Sequence, residues 1–95
     1  MSTLEKVKLF LRRSHNRLDE DIQADIDTAL ADLRMHGVTH KDESDPLIFN
    51  AVKLYCKSMA TDEPAKAAEL RQRYITMRDC LKVAEGYGWK DDSDE

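Results

Sequence analysis

An all-α fold, a compact bundle of about four helices followed by a mobile acidic C-terminal tail, is predicted by three features of this 95-residue sequence. Apolar residues recur at helical spacing in four segments, cap and stop signals separate those segments, and no alternating run of strand length occurs. Hydrophobic residues make up 41% and charged residues 36%, a balance richer in apolar side chains than a disordered chain would carry. The core is modest, because a chain of this length buries only about two thirds of its unfolded surface. Contacts with neighbouring subunits would therefore add stability.

The first helix is expected over about Leu4 to Arg12, capped by Thr3, with Leu4, Val7, Phe10 and Leu11 on its apolar side. The second begins near Asp19 and ends at Gly37, a left-handed terminator. Its Ile22, Ile26, Ala29, Leu30 and Leu33 share one face, the clearest amphipathic pattern in the chain. Val38 to Ser44 reads as a polar loop. Asp45-Pro46 then supplies a cap followed by proline at the first helical position, where its missing N–H costs nothing.

In the third helix Ile48, Val52, Tyr55 and Met59 line one face, Leu47, Ala51 and Leu54 widen it on one side, and Phe49, Cys56 and Ala60 widen it on the other. Only Asn50, Lys53 and Lys57 form a polar strip, so this helix is expected to be central. Thr61-Asp62-Glu63-Pro64 opens a fourth helix that runs to about Glu85, where Gly86 stops it. Ala67, Leu70, Tyr74, Met77 and Leu81 form its apolar stripe. The chain divides into a helical domain, 1–86, and a C-terminal arm, 87–95.

No catalytic constellation, metal site or cofactor site is expected. His36 and His40 are four apart, but Gly37 ends the helix that would align them as ligands. Cys56 has no cysteine or histidine near it in sequence and reads as a small buried hydrophobe. Asp19, Glu20 and Asp21 fall on the first turn of a helix, where negative charge offsets the helix dipole. There is no Gly-rich phosphate loop and no Ser-His-Asp set. The opening MSTLEKVKLFLRR lacks the features of a signal peptide, and no apolar run approaches the ~20 residues of a membrane span. A cytoplasmic setting with Cys56 and Cys80 reduced follows as the default.

Charge is unevenly spread. The net charge of -4 argues against general nucleic-acid binding. Yet residues 1–17 hold Lys6, Lys8, Arg12, Arg13 and Arg17 against Glu5 alone, a net of +4, and the last six hold Lys90 against Asp91, Asp92, Asp94 and Glu95, a net of -3. Two stripes flank apolar faces: Asp21, Asp25 and Asp32 on the second helix, Arg71, Arg78 and Lys82 on the fourth. Solvated faces, or pairing of the two stripes inside one monomer, account for them most simply. The sharper expectation is a heterologous contact in which the acidic stripe of one subunit meets the basic stripe of the next and closes a ring. Tyr87 and Trp89, past the end of the fourth helix, either fold back on the core or anchor the arm on a partner.

The order LEKVKLFLRR, LDEDIQADIDTALADLRMHGV, a polar loop, DPLIFNAVKLYCKSMA and AAELRQRYITMRDCLKV resembles the head-tail connector (adaptor) family of tailed bacteriophages and prophages. The resemblance spans about Leu4 to Tyr87 and includes the opening LEKVK, Asp19 before the second helix and the DPLI start of the third. It implies a virion neck protein, assembled in the host cytoplasm, that forms a ring under the portal protein with the portal's twelve-fold symmetry. It further implies that DNA passes through the ring channel without sequence-specific binding, and that the next neck or tail-completion protein docks on it. The competing expectation is a small prophage-encoded regulatory protein that sequesters a protein partner. A DNA-reading module would need a recognition helix with clustered basic and amide residues, and the second and third helices offer little of this.

Overall fold

The computed structural model describes residues 2–11, 18–38 and 45–84, and these form four helices: α1 Thr3–Leu11, α2 Asp19–Met35, α3 Pro46–Ala60 and α4 Pro64–Val83. The fold is all-α, and no strand occurs among the described residues beyond an isolated bridge at Val38. The expected arm, with Tyr87 and Trp89, lies outside the described residues, as do His40 and Gly86.

Local chemistry sets most of the helix ends. Ser2, not Thr3, caps α1: Glu5 N donates to Ser2 Oγ at 3.1 Å and Ser2 N donates to Glu5 Oε1 at 3.0 Å. This reciprocal pair satisfies two backbone donors that the first turn leaves open. At the end of α2, Gly37 adopts φ 97°, Val38 N donates to Leu33 O at 2.8 Å and Gly37 N donates to Arg34 O at 3.1 Å. That left-handed turn folds Val38 back over Leu33, and both side chains are buried. Val38 is thus a core residue rather than the start of a polar loop. Asp45 caps α3 by accepting from Leu47 N at 2.9 Å and Ile48 N at 3.4 Å. The fourth helix ends at Val83, two residues before the expected Glu85, because Ala84 turns to extended backbone.

α3 is the central element, packed against α1, α2 and α4. The core joins Val7 and Leu11 of α1, Ile22, Ile26, Ala29 and Leu33 of α2, Ile48, Val52 and Cys56 of α3, and Tyr74 and Leu81 of α4. Burying each such side chain contributes about 1.5–3 kcal/mol. One register detail of α3 departs from expectation: Met59 is exposed and Ser58 is buried. The reason is local to α4, whose Arg71 reaches both side chains, donating Nε to Ser58 Oγ at 3.2 Å and Nη2 to Met59 Sδ at 3.0 Å.

Candidate interaction surface

The helices carry segregated charge. α2 holds six carboxylates, Asp19, Glu20, Asp21, Asp25, Asp27 and Asp32, against Arg34 alone. α3 holds Lys53 and Lys57 with no acid, and α4 holds Lys66, Arg71, Arg73, Arg78 and Lys82 against Glu69 and Asp79. Where these groups point decides what the surface offers.

At the junction of α2 and α4 the opposite charges meet within one chain. Tyr74 Oη donates to Asp32 Oδ2 at 2.6 Å, and Arg78 Nη1 donates to the same oxygen at 3.0 Å. Burial alone would push the Asp32 carboxyl up, but the hydrogen bonds from Tyr74 and Arg78, with the charges of His36 and Arg78, hold it below the usual carboxylate range. Burial and then the bond to Asp32 raise the Tyr74 phenol well above its ordinary value, so it stays a donor. For Arg78, burial works against the charged form, and the bond and charge of Asp32 outweigh it and raise the pKa. His36 closes the end of α2, donating Nδ1 to Asp32 O at 2.9 Å.

Beside this junction lies a cavity of about 210 Å³ walled by Asp32, Tyr55, Arg71, Tyr74 and Arg78. Tyr55 and Tyr74 meet edge to face at 5.3 Å, and the Arg71 guanidinium lies over the Tyr55 ring at 4.9 Å. Arg71 has no carboxylate partner among the described residues.

The six residues expected to form an intersubunit charge pair therefore separate. Asp32 and Arg78 bond to each other inside the monomer. Asp25 is buried at 7% exposure, which takes it off the outer surface. Asp21 is exposed and accepts from Leu18 N at 3.4 Å at the start of α2. Arg71 is held by Ser58, Met59 and Tyr55, and Lys82 is half-buried without an ion pair among the described residues.

A second basic surface lies on α1 and α3, and sequence patterning missed it. Lys53 Nζ sits 4.7 Å from the centre of the Phe10 ring and Lys57 Nζ sits 5.0 Å from it. Lys6 and Lys53 each lie 5.7 Å from the centre of Phe49. The signal available in sequence was Lys53 and Lys57 at i, i+4 on a helix without acids. Placing Phe10 of another helix beneath both required the packing of α1 on α3.

Among the described residues no group of three or more His, Cys, Asp or Glu could hold a metal ion, and no helix is long and apolar enough to cross a membrane. No family model matches the chain, and no curated protein or solved structure matches it either.

Proposed function

We propose that this chain is a structural subunit of a virion neck, a head-tail connector that assembles as a ring under the portal, extends the DNA channel and docks the next neck or tail protein. One observation supports this reading most: the four segments that carry the family resemblance coincide, in order, with α1, α2, α3 and α4. The charge segregation suits such a role, because an acidic α2 and basic α3 and α4 give each copy surfaces of opposite sign with which to meet another copy. No chemistry is assigned to the chain itself. Its work is to bind neighbours.

Electron microscopy of the full chain mixed with its cognate portal tests the proposal. Ring-shaped density added beneath the portal, with the portal's symmetry, is the expected result. A chain that stays monomeric, leaves the portal bare and instead binds a soluble regulator would replace this reading with the regulatory one.

A further inference from the structure

One face of the bundle carries positive charge that no carboxylate among the described residues offsets. The ammonium groups of Lys6, Lys53 and Lys57 gather over the rings of Phe10 and Phe49 at 4.7 to 5.7 Å. A ring face attracts a cation through its quadrupole but has no net charge, so three positive charges remain. Among the described residues no carboxylate lies within ion-pair distance of any of the three. Lys8, two residues on and so on another side of α1, does find one, at 3.1 Å from Asp19. The contrast sets Lys6, Lys53 and Lys57 apart from the other side of α1. Like charges held together raise the local potential and draw an anionic partner.

We infer that this Lys6–Lys53–Lys57 surface, with Phe10 and Phe49 between the cations, is the docking site for segment 87–95 of a second copy of this chain. The inference rests on the reading of the chain as self-assembling and names the surfaces that do it. Complementarity is twofold. Asp91, Asp92, Asp94 and Glu95 place four carboxylates in five residues to meet three ammonium groups. Tyr87 and Trp89 precede them and offer rings that pack on phenylalanine and accept cations on their faces. Each copy then supplies one patch and one segment, the heterologous contact that repetition closes into a ring.

Sedimentation of the full-length chain tests this with two charge-reversed variants. One carries Lys6→Glu, Lys53→Glu and Lys57→Glu; the other carries Asp91→Lys, Asp92→Lys, Asp94→Lys and Glu95→Lys. Each variant alone sets like charge against like, so its self-association should weaken roughly tenfold or more. Mixed in equal amounts they should associate again, because the patch of each meets the segment of the other with opposite sign. Loss without rescue on mixing overturns docking on a second copy. If the wild type associates and neither variant weakens it, the docking site is wrong while the assembly reading stands; if the wild type is monomeric at every concentration, both fail. Circular dichroism checks that each variant folds. Should the lysine variant not fold, a synthetic peptide of residues 85–95 should lower wild-type association by competition, and the same peptide with its acids changed to lysine should not.

Discussion

The α2–α4 junction and the α1–α3 face handle charge in opposite ways. At the junction, Asp32 gathers Tyr74 and Arg78 on a single oxygen, so a carboxylate, a phenol and one guanidinium nitrogen bond to one another inside one chain. On the α1–α3 face, Lys6, Lys53 and Lys57 meet rings and no described carboxylate. Both regions are rich in charge and aromatics, yet the first is bonded within the chain and the second is the surface we propose for a neighbour. A charged residue beside an apolar stripe is therefore no guide by itself to an interface. What matters is whether the fold brings it a partner.

Substitutions sharpen this contrast. The largest effect is expected from Tyr74→Ala, which empties a buried ring position and removes a partner of Asp32: about 3–5 kcal/mol of stability should be lost, read as a fall in urea midpoint. Asp32→Ala is expected to cost about 2 kcal/mol, since it leaves Tyr74 and the largely buried Arg78 without their acceptor. Self-association of the folded fraction should not change, because both partners lie in the same chain. An Asp32→Ala protein of normal stability that has lost association would reverse the roles given to the two regions.

The pH dependence follows from the same bonds. Asp32 is held below its ordinary range, so the stability it contributes is present above the unfolded carboxylate value of about 4 and is lost as pH falls through its lower folded value. Tyr74 is raised, so its contribution is complete below about pH 10 and is lost as pH rises above that. Thermal melts of Asp32→Asn should show a shallower acid limb than wild type, and melts of Tyr74→Phe a shallower alkaline limb. Unchanged slopes would mean these groups titrate alike in both states. The smallest effect on stability belongs to the other region: Lys53→Ala should cost less than about 0.5 kcal/mol of stability, read from the urea midpoint, while still weakening association.

How far the sequence could be read depended on the range of the interaction concerned. Gly37 and Asp45-Pro46 were legible because a left-handed turn and a side-chain cap are settled within a few residues. The apolar face of α2 was legible because periodicity reports burial directly. The α1 cap was misplaced by one residue, since Ser2 and Thr3 can both cap and it is Glu5, three residues after Ser2, that completes the reciprocal pair with Ser2. Ser58 and Met59 exchanged roles because their exposure depends on where Arg71 of α4 arrives. Asp25 sits beside the apolar face by spacing, but its burial depends on the neighbours that cover α2. The site was less legible than the fold for the same reason. Asp32 and Arg78 are 46 residues apart, and their pairing is a product of how α2 and α4 approach across the bundle.

The proposal that the chain assembles through charge left without a carboxylate partner among the described residues is tested most directly by sedimentation velocity of the full-length wild type over a range of concentration and salt. It predicts species larger than the monomer that grow with concentration at low salt and dissolve as added salt screens the contacts. A single monomeric species under every condition would contradict it.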